Sequence, residues 1–441
     1  MRSLCTILGC WVAVVCGAPQ LHGQDPDDGM DEASMPPMAD QDMWSVALGG
    51  GWQASGMAQF FPIVTSGAPS VEDSPLHGTH WYLTQPVLMI GLEGPGQRIV
   101  LRTTLDFEAI TLRDGEVNFG AWGEGFIDKR HPHTLLHELM LSLNSWGLRG
   151  GNLSVSAGKG FVPYGTDDPM SRPGLKFPTN HHLSQVLERW TVNGAYLRGG
   201  WGFEVAVFGG TETEGPYDLS NIESFGDSWA TRLSKRWGSG SGPFAEWEVS
   251  ASQAWVVETH HDALEKTRLW NGAVRHLSGP DSGLQEALIE VSLSRKRDHN
   301  NFFSILGELG FDRLGHQPYA RVEYSSRPEY AREREDRSLG FFRYDDASDP
   351  VGSTRWLTST VAYAYEMTGY PLSLRPFLEF QHFKVWEHEG QANPVTLFGS
   401  DSFWAITLGA RIFLGGSPMR MGAYGVLGAM TGMSRMGTMA P

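Results

Sequence analysis

The chain is poor in cysteine, and its few cysteines lie close together. All three, Cys5, Cys10 and Cys16, fall in an opening stretch where one arginine precedes an apolar run and then small residues. This layout is typical of a secretory signal peptide, and we expect cleavage near Gly23. A lipid-modified Cys16 is the less favoured alternative, because Val15 stands where a small residue is wanted. Once the signal is removed, the chain has no disulfide, no thiolate metal site and no cysteine nucleophile.

Long apolar runs and positive charge are also scarce. Beyond residue 23 no stretch approaches the roughly 18 apolar residues that a membrane helix needs. The 34 Lys and Arg residues are outnumbered by 50 Asp and Glu residues, which gives a net charge of −16. Nucleic acid and an anionic lipid surface would both repel such a chain. An exported chain without helical spans is either soluble or a closed barrel.

Motifs that mark enzymes are missing. HTLLHE at 133–138 matches neither HExxH nor HxxEH, and the sequence contains no G-x-S-x-G. Gly158 and Lys159 lack both the earlier glycine and the following Ser or Thr of a phosphate-binding loop. FGDSW at 225–229 contains a triplet that is common by chance, and we expect it to begin a strand. We therefore expect no enzyme, with a barrel-embedded hydrolase as the last of three hypotheses.

The sequence does contain a marked alternation with a period of two. From Ile99 to Ala109 the odd positions are mainly apolar, while Arg98, Arg102, Asp106 and Glu108 occupy even ones. The same rhythm recurs at 201–208, 247–257, 286–294 and 361–365. One face of each segment suits lipid and the other suits water. The segments run about ten residues, which is enough to cross a bilayer when tilted.

About sixteen segments of this kind can be counted. They begin near residues 43, 79, 97, 134, 152, 189, 201, 228, 243, 266, 286, 302, 318, 357, 373 and 402. A soluble sandwich also alternates, but its strands average about 5 or 6 residues and bury Leu, Ile and Val more than Trp and Tyr. The expected fold is all-β: a transmembrane antiparallel up-and-down barrel of roughly 14 to 18 strands, wide enough to admit water.

The alternation also divides the chain. Residues 1–23 are the signal peptide, 24–42 a flexible segment rich in Met and Asp, 43–416 the barrel, and 417–441 a Met-rich tail. Two long connections, 160–188 and 328–355, hold many Pro, Gly, Arg and Asp residues and alternate little. We expect one of them to fold inward and narrow the lumen, and 160–188 is the candidate.

Two blocks carry a resemblance to known proteins. GKGFVPYGTDDPMSRPGLKFPTNHHLSQVLER at 158–189 and DKRHPHTLLHEL at 128–139 resemble blocks of an uncharacterised family of bacterial outer-membrane barrels. The turn from Gly158 to Gly165 is more distantly similar to porins, in which such a turn leads into a lumen loop. The resemblance implies a porin-like barrel in the outer membrane of a Gram-negative bacterium. It transfers no activity to individual residues.

Histidines and charged residues are concentrated in the same two blocks. On a strand, His131 and His133 would share a face about 7 Å apart, a spacing that suits one zinc or copper ion with His181 and His182 as further ligands. The favoured interpretation is a structural polar cluster that holds the inward loop against the wall by charge-assisted bonds. The cluster comprises Asp128, Arg130, His131, His133, Asp167, Asp168, Arg172, His181, His182 and Glu188.

Methionine recurs every third residue in the tail, at Met430, Met433, Met436 and Met439. Thioether sulfur prefers Cu(I) or Ag(I), so this run could wrap a soft ion. The alternative is a low-complexity tail whose methionines only fill space. A tail that follows the closing strand would lie in the periplasm or plug the lumen.

Two functional hypotheses follow. The first is a porin-like channel for passive diffusion of small polar solutes, mildly cation-preferring, with selectivity set by lumen charges. These charges are Arg98, Arg102, Asp106, Glu108, Glu246 and Glu248. The second is a barrel that handles copper, zinc or a related ion through the His and Met clusters; otherwise we expect no cofactor. Expected partners are outer-membrane lipid, the barrel-assembly machinery, small polar solutes and further copies of the chain.

Overall fold

The computed structural model describes most of the chain. The described residues are 44–67, 78–112, 116–119, 126–127, 134–166, 172, 174, 178, 181–186, 188–213, 215–238, 246–260, 263–277, 283–296, 301–329, 332–333, 342–343, 352–369, 372–415 and 421–428. The expected signal peptide, the 24–42 segment and the methionine run at 430–439 lie outside these ranges.

Sixteen strands within the described ranges form one closed wall, and we number them in chain order. They are β1 Trp52–Gly67, β2 Gly78–Glu93, β3 Ile99–Asp106, β4 Leu136–Leu148, β5 Gly151–Gly160, β6 Arg189–Arg198, β7 Trp201–Gly209, β8 Phe225–Trp237, β9 Glu246–His260, β10 Ala263–Leu277, β11 Leu284–Lys296, β12 Asn301–Phe311, β13 His316–Glu329, β14 Gly352–Tyr365, β15 Leu372–Gly390 and β16 Ser402–Leu414. Each strand pairs antiparallel with the next, and β16 pairs with β1. The predicted antiparallel barrel of about sixteen strands is confirmed.

The wall begins later than the alternation predicts. The segment near residue 43 is a short strand, Trp44–Gly49, which pairs only with the first residues of β1. It continues the line of β16, whose pairing with β1 starts at Ala58. The prediction failed here because this hairpin alternates as the wall strands do, and alternation does not report how far a strand extends. The other predicted starts lie within a few residues of the observed ones.

The two ends of the barrel differ in their connections. One end, the short-turn end, carries the turns 149–150, 199–200 and 312–315 together with the start of β1 and the end of β16. The other, the long-loop end, carries the connections 107–135, 161–188 and 330–351. Outer-membrane barrels have short periplasmic turns and longer extracellular loops. The short-turn end therefore faces the periplasm.

Short elements lie in the connections. Three helices follow strands at the long-loop end: α1 (Glu108–Thr111), α2 (His181–Ser184) and α3 (Pro394–Phe398). Two 3-10 turns are Pro95–Gln97 and Ser220–Ser224, two-residue hairpins pair Glu116–Val117 with Phe126–Ile127 and Arg332–Glu333 with Phe342–Arg343, and Met367–Gly369 pairs with the start of β15. Within the described ranges, no helix combines the length and the apolarity needed to span a bilayer.

Side chains alternate across the wall. On β7, Trp201, Phe203 and Val205 are exposed on the outer face, whereas Glu204 and Phe208 are buried toward the interior. The outer face is apolar along most of the wall, as contact with lipid requires, and a closed barrel leaves no unpaired sheet edge in the hydrocarbon. The wall therefore has the arrangement of a transmembrane barrel.

Candidate functional site: the barrel interior

Opposite charges face each other across neighbouring strands on one side of the interior, from β7 to β13. Arg232 lies directly opposite Glu204 and donates to its carboxylate at 2.5 and 2.9 Å. Arg236 lies opposite Glu248 and donates to it at 2.5 Å. Further ion pairs join Arg275 to Glu286, Arg321 to Glu308 and Arg327 to Glu329. We call this set the charge ladder. These side chains are largely buried, and each charge is compensated by its partner, since an unpaired charge in the interior would be costly.

The opposite side of the interior carries apolar clusters among buried polar side chains such as Thr358, Glu379 and Arg411. At its long-loop end, an aromatic cluster gathers Phe119, Trp356, Phe383, Phe398 and Phe403. The Trp356 ring lies 5.2 Å from that of Phe398 and 5.8 Å from that of Phe383, in edge-to-face contacts. The aromatic cluster draws on β14, β15 and β16, on α3 and on the connection after β3. It fills this part of the lumen at the long-loop end.

A second apolar cluster lies on the same side and includes four methionines. This methionine cluster holds Met57, Met89 and Met140 from β1, β2 and β4, together with Met421 and Tyr424 from beyond the last strand. Phe61 and Phe413 contact each other within it, with ring centroids 5.5 Å apart. Side chains from both termini of the barrel therefore meet inside the lumen.

The connection 161–188, which we call the crossing loop, enters the barrel with its described residues 161–166, 172, 174, 178, 181–186 and 188. It leaves β5 and returns to β6, yet its helix α2 contacts β10, β11 and β12. Gly165 has φ of +70°, and a Cβ there would lie 1.6 Å from the Ser184 carbonyl oxygen, so only glycine fits this turn. The loop thus spans the lumen from one wall to another.

Arg172 fastens the crossing loop to the far wall. Its guanidinium lies 3.3 Å from Glu290 on β11 and 3.4 Å from Glu308 on β12, and it donates to Thr166 at 2.7 Å. The Arg172 carbonyl oxygen accepts from Arg411 on β16 at 3.3 Å. The side chain is 1% exposed. Charge-assisted bonds of this kind are the stronger ones in proteins, so the loop is tied at its centre.

Glu188 fastens the base of the same loop. It accepts from the Thr134 backbone N–H at 2.8 Å, and its carboxylate lies 2.8 Å from His137 Nδ1 and 3.7 Å from Lys159 Nζ. Glu188 has φ of +58°, a strained conformation for a residue with a side chain. The bonds to β4 and β5 hold it there.

Residues 421–428, which we call the lumen segment, also lie inside the barrel. Arg102 on β3 donates to the Ala423 carbonyl oxygen at 3.3 Å, and Arg232 on β8 donates to that of Gly422 at 2.9 Å. On its apolar side, Val426 and Leu427 pack with inward side chains of β6. The segment therefore rests against several wall strands at once.

The fit around the lumen segment is close. Tyr424 is buried, and its hydroxyl accepts from the Phe161 backbone N–H at 2.9 Å, which links the segment to the crossing loop. Gly425 has φ of +58°, and a Cβ there would lie 2.1 Å from Ser154 Oγ. That Ser154 hydroxyl accepts from Val426 N at 3.2 Å. Glycine at 425 is thus required both by the backbone conformation and by the space.

Two tyrosines outside the wall strands are held neutral. Burial raises the pKa of Tyr424 well above its ordinary value, and Glu138 raises it further. Burial likewise raises the pKa of Tyr164 in the crossing loop, with a smaller contribution from Glu290. The Tyr164 hydroxyl donates to the Leu183 carbonyl oxygen at 2.7 Å. Both phenols act as neutral hydrogen-bonding groups in the lumen.

A cavity remains between the crossing loop, the lumen segment and β7–β9. Its lining includes Glu204, Arg232, Arg236, Glu248, Thr166 and Met421. Two rungs of the charge ladder therefore border open space that the lumen segment covers.

The predicted lumen charges fall in different places. Arg102 and Glu248 face the interior, as described above, and Asp106 is buried there. Arg98 lies exposed in the turn before β3, so its placement on a wall strand was wrong. Glu108 was also expected on the strand but begins α1, because Asp106 accepts from the Glu108 N–H at 2.8 Å and ends β3. The Glu246 side chain lies outside the described residues.

The predicted polar cluster is described only in part. Arg172 and Glu188 are fixed as given above, and His181 is buried in α2. The side chain of His182 and the residues Asp128, Arg130, His131, His133, Asp167 and Asp168 lie outside the described residues. Within the described part of the chain, no group of three or more His, Cys, Asp or Glu residues is arranged to hold a metal ion. Metal binding therefore stays a prediction.

Several functional residues escaped the sequence reasoning. Glu204, Arg232 and Arg236 could have been found, since they occupy the inward phase of strands that were recognised. His137 and Lys159 gave no such signal, because their contacts depend on Glu188 some 50 and 30 residues away along the chain, respectively. The position of the lumen segment had no periodic signature.

Solved porins share the fold. OmpF of Salmonella typhi is 9% identical over 84% of this chain and all of its own length, with a TM-score of 0.48. OprB of Pseudomonas putida is 9% identical over 82% of this chain and 94% of its own, also at 0.48. An anion-selective porin from Comamonas acidovorans is 11% identical over 84% of this chain and all of its own, at 0.44. Neither a protein-family model nor a curated protein matches the sequence.

Proposed function

We propose that the protein is a porin-like channel for passive diffusion of small polar solutes. The observation that supports the proposal is the charge ladder: ion pairs line one side of a lumen whose outer wall is apolar. A sixteen-strand wall is too wide for its own side chains to fill, so water enters beside these charges. Small polar solutes share that preference for an aqueous, charged lining.

The pathway that we propose runs along β7–β9, past Glu204, Arg232, Arg236 and Glu248. These residues border the cavity between the crossing loop and the lumen segment. The lumen segment covers this cavity and the crossing loop narrows it, so the described arrangement is a closed or weakly conducting state. Displacement of the lumen segment would widen the pathway without any change in the wall.

Weak ion selectivity is expected from the same residues. Each acid of the charge ladder is paired with an arginine, and Glu204 and Glu248 have Arg232 and Arg236 directly opposite. Paired charges leave little net potential in the lumen, while the overall charge of −16 gives a mild preference for cations.

Single-channel recording in planar bilayers tests this proposal. The full chain is compared with a chain that ends at Gly415, one residue after β16. We expect discrete conductance steps from both, several-fold larger and more frequent in the shortened chain. Uptake of sugars of graded size into liposomes would then give the size limit. If the shortened chain refolds as a barrel but carries neither ions nor sugars, the channel proposal is wrong.

Handling of a soft metal ion is a second candidate. The observation that favours it is the methionine cluster, which brings Met57, Met89, Met140 and Met421 into one buried group. Thioethers suit Cu(I) and Ag(I). Isothermal titration with Ag(I) tests it: Met421→Leu should reduce binding, whereas Met367→Leu, which changes an exposed methionine, should not. Absence of Ag(I) binding by the refolded full chain would remove this candidate.

A further inference from the structure

Two arginines face outward side by side on the lipid-exposed wall near the long-loop end. Arg268 on β10 and Arg295 on β11 are directly opposite in the strand register, and both are exposed. Like charges directly opposite on one face of a sheet repel each other and destabilise the pair. Among the described residues, neither arginine has an ion-pair partner. An anion bound between the two guanidinium groups would relieve this repulsion.

The height of this pair on the wall is fixed by tryptophans. Trp229 on β8 pairs with Trp255 on β9, which in turn pairs with Arg268, so the two tryptophans and the two arginines form one row around the barrel. The Arg268 guanidinium lies 5.0 Å from the centroid of the Trp255 ring. Tryptophans collect at the membrane–water interface. Arg268, which contacts Trp255, therefore lies near the level of the lipid headgroups.

The surrounding outer face supports an anionic ligand. Lys266 lies one outward position further toward the long-loop end on β10. No Asp or Glu occupies an outward position in the described parts of β9, β10, β11 and β12, because the acids on these strands face the interior. Below the row, Ile289, Val291 and Leu293 are exposed on β11 and suit acyl chains. In a chain with a net charge of −16, a purely basic patch of this kind is a local exception.

We propose that Arg268 and Arg295, with Lys266, bind the phosphate headgroup of a lipid in the leaflet at the long-loop end. Two guanidinium groups offer forked donors that match phosphate oxygens, and one phosphate between them removes their mutual repulsion. The acyl chains of the same lipid lie along the apolar face below. The ligand is a membrane lipid, because the site opens to the bilayer at headgroup level.

Native mass spectrometry on the refolded full chain tests this site. The probes are lipid A, a glycolipid that carries phosphate groups, and the same lipid after enzymatic removal of its phosphates. We expect lipid A to stay bound and the dephosphorylated form to be lost. The double variant Arg268→Gln/Arg295→Gln should bind lipid A about fivefold more weakly for each arginine removed. Inorganic phosphate at millimolar concentration should not compete, because it lacks the acyl chains.

A matched control exists at the other end of the barrel. Arg198 and Lys235 flank Trp201 on the outer face at the short-turn end, but the Lys235 amine already donates to the Gly199 carbonyl oxygen at 2.7 Å. Arg198→Gln/Lys235→Gln removes the same charge and should leave lipid A binding unchanged. Equal binding by both double variants, or equal binding of phosphorylated and dephosphorylated lipid, would overturn the site. The lipid comparison needs no variant, so it decides the question even if a variant fails to fold.

Discussion

The two sides of the lumen are built from the same kind of strand but hold different interiors. Along β7–β13, inward positions alternate with lipid-facing ones and carry arginines opposite glutamates, such as Arg232 and Glu204. At the long-loop end of β14–β16 the inward positions instead carry Trp356, Phe383 and Phe403, packed as in a soluble core. The wall geometry therefore does not dictate what fills a barrel. One side is lined by ion pairs, and the other is packed with aromatic rings at its long-loop end.

The sharpest test of this contrast removes the largest ring of the apolar side. Trp356→Ala deletes a fully buried side chain that contacts Phe383, Phe398 and Phe403 and should lower the free energy of unfolding by about 3–5 kcal/mol. Denaturant unfolding in detergent micelles measures it. Trp81→Ala is the control, because Trp81 is 79% exposed on the wall and should have a much smaller effect. Equal losses in the two variants would show that the aromatic cluster is not a core.

A smaller effect is expected where the charged side holds the crossing loop. Arg172→Ala removes bonds to Glu290, Glu308 and Thr166, and since these groups retain other partners, the loss should be about 2 kcal/mol. Channel noise in planar bilayers should increase as the loop moves. Lys384→Ala, which breaks a largely exposed pair with Asp401, should cost less than about 0.5 kcal/mol and leave the noise unchanged. If channel noise does not increase in Arg172→Ala, the crossing loop is held in place by other contacts.

The smallest effect concerns the boundary between the two sides, where Tyr424 is seated. Its raised pKa means that the phenol resists ionisation while the lumen segment is bound in the barrel. Binding of the lumen segment is therefore fully stable below the free tyrosine pKa of about 10 and weakens as the pH rises above it. Conductance should therefore increase above about pH 10. Tyr424→Phe should abolish this increase while raising conductance slightly at neutral pH, because the Phe161 N–H loses its acceptor. A pH response that persists in Tyr424→Phe would assign it to another group.

The wall could be predicted from the sequence because each strand meets lipid on one face and the lumen on the other. That boundary acts on every second residue, so it is visible in short windows such as Ile99–Asp106 and Trp201–Gly209. The prediction from alternation failed at Trp44–Gly49, where a strand alternates but does not complete the wall. The alternation also placed Glu108 on the strand, whereas β3 ends at Asp106, whose carboxylate accepts from the Glu108 N–H.

The contents of the lumen could be predicted far less well. Arg172 contacts Glu290 and Glu308, which lie more than 110 residues later in the sequence, and Arg102 contacts Ala423, which lies more than 300 residues later. Such contacts leave no periodic trace, since each depends on the register of many intervening strands. The lipid-facing arginines were missed for a different reason. The net charge of −16 describes the whole chain, whereas Arg268 and Arg295 act over a few ångströms.

The contacts that hold residues 421–428 in the barrel also bear on how the molecule is assembled. It contacts β3, β5, β6 and β8, and its Met421 and Tyr424 also pack in one cluster with Met57 of β1 and Phe413 of β16, which the closing of the ring brings together. Docking of this stretch must then be among the final events of biogenesis, after insertion and seam formation. A protease site introduced after Gly428 would make the docking of residues 421–428 observable, because cleavage there should decrease once docking is complete.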